Sequence, residues 1–101
     1  MLIYNITYNV ETLIEAEWLE WMKKVHIEEI LKTNYFSDHR ILRLINEHPD
    51  KSATTYAVQL TAMNISDVER YLANQGAVLQ KKLIAKFGQK VLLFMTILEE
   101  V

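Results

Sequence analysis

The sequence predicts an α+β domain in which four strands and two helices follow the order β-α-β-β-α-β. Two observations carry this prediction. Apolar and polar residues alternate in four segments, which is the period of a strand, and apolar residues recur every three or four positions in two longer segments, which is the period of a helix. The 101 residues, 50% of them apolar and 24% charged, are expected to form one domain over residues 1–101.

The first strand and the first helix are predicted from the opening third of the chain. In LIYNITYNV, every second side chain is apolar or aromatic, as in a strand with one buried face. Thr12 and Glu15 then have the spacing of a capping box. This spacing predicts a helix from about Leu13 to Lys32, with Asn34 as a left-handed stop.

A hairpin is predicted to follow. SDHRILRLINE carries apolar residues and arginines on both faces, which is typical of a strand at the edge of a sheet. EHPDKS is predicted to form a turn, because Pro49 fixes the backbone angle that a turn needs. TTYAVQLTA alternates again and is predicted to be the third strand.

The second helix and the last strand complete the pattern. Ser66 and Glu69 repeat the capping-box spacing, and the helix is predicted to run to Phe87, with Gly88 in the closing left-handed position. KVLLFMTILEEV is strongly apolar and is predicted to be the fourth strand.

This order of elements defines a ferredoxin-like fold, with four antiparallel strands covered on one face by both helices. The first and third strands should then be central. Their second face would carry polar but uncharged side chains, namely Asn5, Thr7, Asn9, Thr55, Gln59 and Thr61. Such a face suits pairing with the sheet of a second copy, so we expect a homodimer of the dimeric α/β-barrel type.

Composition excludes several classes of function. A net charge of -2 gives no field for nucleic acid, and no apolar segment is long enough to span a membrane. The chain has no cysteine and does not open with a signal peptide, so we expect a cytoplasmic protein. His26, His39 and His48 are scattered, and neither a metal nor a cofactor is expected.

The helical periodicity places two polar residues close to the predicted core. At 100° per residue, the first helix gathers an apolar stripe, with Glu29 near its middle and His26 toward its edge. The members of the stripe are Ile14, Trp18, Trp21, Met22 and Val25. The second helix has a stripe of Val68, Leu72, Gly76, Leu79, Leu83 and Phe87. Its central glycine indicates close packing, a bend or the wall of a cavity.

His26 and Glu29 are therefore the candidate catalytic residues. Residues three apart on a helix are neighbours, and a carboxylate beside a histidine can move a proton near neutral pH. The alternative is a structural pair that orders the end of the helix. The residues predicted to bind a ligand are Trp18, Met22, His26, Glu29 and Tyr56. Aromatic residues at this spacing are also typical of a core, and Tyr4, Tyr8 and Trp21 belong to the same group.

The segments WLEWMKKVHIEEIL, TNYF and FGQKVLLFMTILEEV resemble a group of small uncharacterised bacterial proteins classed as a domain of unknown function. The resemblance covers nearly the whole chain, and its most specific part is the run from Trp18 to Ile27. It implies a fold and no reaction. More remotely, the order of elements is similar to that of the dimeric α/β-barrel superfamily, whose members include cofactor-independent monooxygenases and isomerases and often hold ligands between helices and sheet.

Two hypotheses follow for function. In the first, a homodimer binds a small, partly apolar ligand between the first helix and the sheet, and any reaction is a proton transfer by His26 as in cofactor-independent isomerisation or oxygenation. In the second, the protein is a non-catalytic structural or interaction module, whose partner surface would include the edge-strand residues Arg40 and Arg43.

Overall fold

A computed structural model describes residues 1–45 and 52–101. The chain forms one four-stranded antiparallel sheet in the order β2-β3-β1-β4. The strands are β1 (Leu2–Glu11), β2 (Asp38–Arg43), β3 (Ala53–Ala62) and β4 (Val91–Glu99). The predicted α+β class, the central position of β1 and β3 and the edge position of β2 are confirmed. The turn predicted over residues 47–52 lies, except for Ser52, outside the described residues.

Both helices are interrupted by a π-helical turn. Helix α1 consists of Glu15–Trp21, the π turn Met22–His26, and Ile27–Leu31. Helix α2 consists of Ile65–Tyr71, the π turn Leu72–Gly76, and Ala77–Phe87. Short 3-10 turns, Thr12–Ile14 and Gly88–Lys90, precede α1 and follow α2. Asn34 and Gly88 have the predicted left-handed backbone, with φ of 66° and 59°.

The capping boxes predicted for the two helices are wrong. The amide of Thr12 donates to the carbonyl of Ser52, at 2.9 Å, and the carboxylate of Glu15 accepts hydrogen bonds from β3 instead. At α2, Asn64 is the N-cap, and its Oδ1 accepts from the amide of Asp67 at 3.1 Å. The extended backbone of Asn64 places an equally good capping side chain two residues before Ser66.

The core lies between the helices and the face of the sheet that they cover. Side chains of β1 and β3 alternate into it, namely Tyr4, Ile6, Tyr8, Val10, Tyr56, Val58, Leu60 and Ala62. Trp18 is fully buried and packs between two of these rings, with centroids 5.2 Å from Tyr8 and 5.0 Å from Tyr56. The alternation predicted for both central strands is therefore confirmed.

The π turn of α1 changes which residues face the core. A π turn adds one residue to the helix, which rotates the following side chains by about 100°. His26 and Ile30 therefore occupy the inward positions that an uninterrupted helix would give to Val25 and Glu29. Val25 is 40% exposed, whereas His26 is 3% exposed. The predicted inward placement of Val25 and Glu29 is wrong for this reason.

The π turn of α2 has the same effect. Tyr71 is buried, whereas Leu72, predicted to face inward, is 37% exposed. Tyr71 and the buried Gly76 are five residues apart, which is the spacing of one π turn. From Leu79 onward the predicted stripe is correct.

The second face of the sheet is not covered by either helix. Its centre carries the predicted uncharged polar residues of β1 and β3, most of them half-buried. Large apolar side chains lie at its two edges, with Leu42 on β2 and Leu92, Phe94 and Leu98 on β4. We call this surface the open face.

Candidate functional site

His26 is the buried polar residue of the core, and it lies at the last position of the α1 π turn. The ring of Trp21 stacks on it, with centroids 4.7 Å apart and planes 24° apart. Its Nδ1 is buried and has no hydrogen-bond partner among the described residues. A buried polar nitrogen without a partner costs about 1 to 3 kcal/mol, so such a group calls for an explanation.

A small cavity adjoins His26 between the two helices and the sheet. Its volume is about 20 Å³, which is enough for one water molecule. The lining residues are Tyr4, Ile6, Tyr8, His26, Ile30, Tyr71, Gly76, Gln80, Leu83, Leu93 and Met95. Both π turns thus contribute to the wall, and π turns inside helices occur frequently at functional sites.

Gly76 is required by close packing against Tyr71. A Cβ added at Gly76 would lie 2.7 Å from Cε2 of Tyr71 and 2.9 Å from its backbone oxygen, closer than such atoms approach. The glycine therefore allows the Tyr71 ring to lie beside the π turn. Two of the roles considered for Gly76 apply together, because it permits a close approach and also lines the cavity.

Burial keeps His26 uncharged. Loss of hydration lowers the pKa of His26 to about 4, with the carboxylate of Glu29 opposing this effect and the ammonium of Lys82 adding to it. Glu29 and Lys82 form an ion pair with each other at 3.0 Å, on the outer side of the helices. At neutral pH the cavity therefore contains a neutral imidazole.

The tyrosines that line the cavity also stay protonated. Burial raises the pKa of Tyr4 to about 12, and it raises the pKa values of Tyr8 and Tyr71 as well, with smaller contributions from neighbouring tyrosines. The hydroxyl of Tyr4 donates to the sulfur of Met95 at 2.6 Å. The polar groups of the cavity are therefore uncharged.

The structure separates the residues predicted to bind a ligand. His26 lines the cavity, and Glu29 lies nearby at the helix margin, 32% exposed and paired with Lys82. Met22 is fully buried one turn before His26. Trp18 and Tyr56 are packed together and do not line this cavity. The ligand-binding and catalytic roles of all five remain predictions.

Tyr56 belongs to a second polar cluster, near the start of α1. Its hydroxyl donates to Glu15, which also accepts from the hydroxyl of Thr54 at 3.1 Å. Nε of Arg43 donates to the Tyr56 oxygen at 3.3 Å. Burial, followed by the hydrogen bond to Glu15, raises the pKa of Tyr56, whereas Arg43 lowers it. This cluster connects α1 to β2 and β3.

Sequence reasoning did not identify Tyr71, Gln80 and Met95 as neighbours of His26. Tyr71 was missed because the π turn moves it inward in place of Leu72, and the sequence periodicity indicates neither the π turn nor this exchange. Gln80 lies on α2, four residues after Gly76, so the unusual glycine was the available signal. Met95 belongs to β4, whose continuous apolar run conceals which side faces the helices.

Neither a membrane-spanning helix nor a metal cluster is found within 1–45 and 52–101. No helix there is long and apolar enough to cross a membrane. No three histidine, cysteine, aspartate or glutamate residues of the same segments come together as a metal-binding group.

Fold and sequence together place the chain in a class and then in a family. The fold is that of the ferredoxin-like α+β proteins, with both helices on one face of the sheet. All of the chain, residues 1–101, matches the family described as Domain of unknown function (DUF4286), and the chain belongs to that family. No curated protein sequence matches it.

Solved structures share the fold at low sequence identity. A protein of the ethyl tert-butyl ether D (EthD) family from Bacillus halodurans is 18% identical, with a TM-score of 0.74 and 100% of both chains covered. HapK from Hahella chejuensis is 8% identical, with a TM-score of 0.71 over 100% of this chain and 93% of that one. A dimeric ferredoxin-like protein from an uncultured marine organism is 11% identical, with a TM-score of 0.65 over 99% and 98%.

Proposed function

We propose that this protein is a cytoplasmic homodimer that binds a small, partly apolar molecule between α1 and the sheet. The observation that carries the proposal is the buried Nδ1 of His26, which lies beside a cavity and has no partner among the described residues. A bound molecule would supply that partner, as ligands do in mostly apolar sites with a few placed polar groups.

The roles of the five predicted residues differ in this proposal. His26 contacts the ligand directly, because it lines the cavity. Met22, the first residue of the π turn, and Trp18 are fully buried in the core beside the site. Glu29 tunes His26 through its charge, since its carboxylate opposes the lowering of the His26 pKa. Tyr56 does not line the cavity, and its hydroxyl is bonded to Glu15 and Arg43, so in this proposal it supports the core beside the site.

The homodimer is supported by the apolar edges of the open face. Leu92, Phe94 and Leu98 are between 46% and 61% exposed on one side of β4, and Leu42 is 43% exposed on β2. Exposed groups of large apolar side chains, such as those on β4, mark interaction sites. One of the similar structures is described as dimeric, which favours a second copy of this chain as the occupant.

The polar centre of the open face is compatible with such burial. Asn5 donates to Thr96 at 3.3 Å, and Gln59 donates to Asn5 at 3.3 Å. Asn9 donates to Thr55 at 3.4 Å. Because these side chains already bond one another within the sheet, covering them with a second sheet would leave fewer polar groups without partners.

The dimer is tested by charge substitution on β4. Phe94→Asp should convert the dimer to a monomer in sedimentation velocity, because it would bury a carboxylate between two apolar edges. Leu13→Asp is the matched control, since Leu13 is 95% exposed and lies in the turn before α1. A Phe94→Asp protein that still sediments as a dimer would contradict the interface.

Native mass spectrometry of the protein purified from its own host tests ligand binding. A dimer carrying a discrete extra mass, which is absent from the His26→Ala variant, is the expected result. Circular dichroism of the variant serves as the folding control. If wild type and variant carry the same extra mass, the ligand does not depend on His26 and the proposed site is wrong.

If the bound molecule reacts, the same geometry favours proton transfer, as in cofactor-independent oxygenation or isomerisation. A neutral imidazole can accept a proton, and no nucleophile is needed for that step. Glu29 would stabilise the imidazolium that forms, because its charge favours the protonated ring.

The alternative is a non-catalytic interaction module, favoured by the small size of the cavity. About 20 Å³ takes one water molecule, and a bound water would also satisfy His26. Under this alternative the exposed edge strand β2 binds a partner protein. Arg40→Glu should then weaken the partner complex in a pull-down, and an unchanged complex would count against the module.

A further inference from the structure

The polar atoms around His26 indicate the chemical class of the molecule that the site takes. Trp21 covers one face of the imidazole, and the ring adjoins the cavity. Nδ1 has no partner among the described side chains and backbone, and a molecule that enters the cavity lined by His26 can supply one.

The entering group should be uncharged. None of the lining residues carries a formal charge at neutral pH, since the polar ones are three tyrosines, Gln80 and the neutral His26. The nearest opposite charges, Glu29 and Lys82, are paired with each other and do not line the cavity. An ion would lose its hydration here without gaining a counter-charge.

A hydroxyl fits the hydrogen-bonding groups better than other uncharged groups. Neutral imidazole carries its hydrogen on one nitrogen, so Nδ1 either accepts or donates a hydrogen bond. A hydroxyl can do both and so satisfies His26 in either form. It can also accept from a protonated tyrosine, whereas a carbonyl or ether oxygen satisfies His26 only when Nδ1 carries the hydrogen.

The size of the cavity limits how much of the molecule enters. The volume of about 20 Å³ accommodates a hydroxyl group and no ring. Leu93 and Met95 belong both to the lining and to the partly exposed surface of the edge strand β4. An apolar body attached to the hydroxyl can therefore rest on these two side chains.

We propose that the site takes the hydroxyl end of an uncharged and otherwise apolar molecule, an alcohol or a phenol. The hydroxyl bonds to Nδ1 of His26, and the apolar body contacts Leu93 and Met95. This inference rests on the proposed ligand-binding function, and it adds the class of ligand.

Nuclear magnetic resonance of the full chain labelled with ¹⁵N-histidine tests the class at pH 7. The probes are phenol, cyclohexanol, toluene and benzoate. We expect phenol or cyclohexanol to shift the Nδ1 signal of His26 by several parts per million, and toluene and benzoate to bind at least tenfold more weakly. The exposed His39 in the same sample reports non-specific effects.

A second variant locates the apolar body of the probe. Met95→Asp should weaken binding of the hydroxyl probe at least tenfold, because it places a carboxylate where the apolar body rests. Lys81→Asp, at an exposed position on α2, is the control and should leave binding unchanged. Equal weakening by the two variants would overturn the placement on β4.

The outcomes separate this inference from the proposed function. If benzoate binds as tightly as phenol, the ligand need not be uncharged. If toluene binds as tightly as phenol, the ligand needs no hydroxyl. Either result would contradict the inference. If none of the four probes shifts the His26 signal but native mass spectrometry shows an extra mass, this inference is wrong and the proposed ligand site is still supported. If no probe shifts the signal and no extra mass is found, both the inference and the proposed function are wrong.

Discussion

Helix α1 holds a polar group near each of its ends, and the two groups differ in how they are satisfied. Near the start, the carboxylate of Glu15 accepts hydrogen bonds from Thr54 and Tyr56. Near the end, Nδ1 of His26 is buried with no partner among the described residues. Both groups lie against the same sheet, and a buried polar group normally has a partner.

This difference distinguishes a structural polar cluster from a candidate binding site. The Glu15 cluster connects three elements, and the Glu15 carboxylate already accepts from two hydroxyls of β3. His26 is held inward by a π turn that gives up regular helical geometry, and it is stacked on Trp21. A π turn beside an unsatisfied buried polar group indicates function more strongly than ordinary core packing does.

The largest expected effect concerns the pH dependence of stability through His26. Its pKa is about 4 in the folded protein and about 6.5 when unfolded, so the unfolded state binds more protons between these values. Stability is therefore lost as pH falls from about 6.5 to 4, by about 3 kcal/mol in total. Urea unfolding at pH 7 and pH 4.5 should show a smaller loss in His26→Phe than in wild type.

The control for this experiment is His39→Phe, because His39 is exposed on β2. That variant should lose as much stability as wild type over the same pH range. Glu29 on α1 and Lys82 on α2 are the charged groups near His26, and both are retained in each variant. Equal pH dependence of His26→Phe and wild type would contradict the neutral, buried state of His26.

A smaller effect is expected at the other end of α1. Glu15→Ala removes the acceptor of two hydroxyls, one of them on the buried Tyr56, and should lower the free energy of unfolding by about 2 kcal/mol. Glu17→Ala, an exposed site on the same helix, should change it by less than about 0.5 kcal/mol. Equal losses in the two variants would show that the cluster is not a structural tie.

The fold could be predicted from sequence because its determinants are periodic and local. Alternation along β1 and β3 placed the right side chains in the core, and Asn34 and Gly88 marked the ends of the helices. The first capping box failed because Glu15 bonds to β3 in a tertiary contact, and the second failed because Asn64 is a competing local N-cap.

The candidate site could be predicted only in part. The sequence singled out His26 and Glu29, but a regular 3.6-residue period put Glu29 inside and His26 at the margin. The π turn reverses that order. No local sequence signal predicts it, because the added residue is stabilised by tertiary packing around Trp21 and Tyr71. The uncommon glycine of α2 was the nearest indication of such a feature.

Packing at that glycine gives the third prediction. Gly76→Ala should lower the free energy of unfolding by about 1 kcal/mol, since overpacking against Tyr71 costs about 1 to 3 kcal/mol and the better helix propensity of alanine returns about 1. Gln75→Ala, exposed in the same π turn, should not destabilise the protein. Urea unfolding of both variants measures the difference, and a stabilised Gly76→Ala would mean that Tyr71 does not pack against Gly76.

The smallest effect on stability is expected at the ion pair of Glu29 and Lys82. Substitutions there test the electrostatic effect on His26 apart from the stability of the fold. The side chains are 32% and 55% exposed, so Glu29→Gln or Lys82→Met should change stability by less than about 1 kcal/mol. The pKa of His26, followed by nuclear magnetic resonance, should nevertheless fall further in Glu29→Gln and rise in Lys82→Met. An unchanged His26 pKa in both variants would mean that the imidazole does not sense this pair, and Glu29 would then have no part in tuning His26.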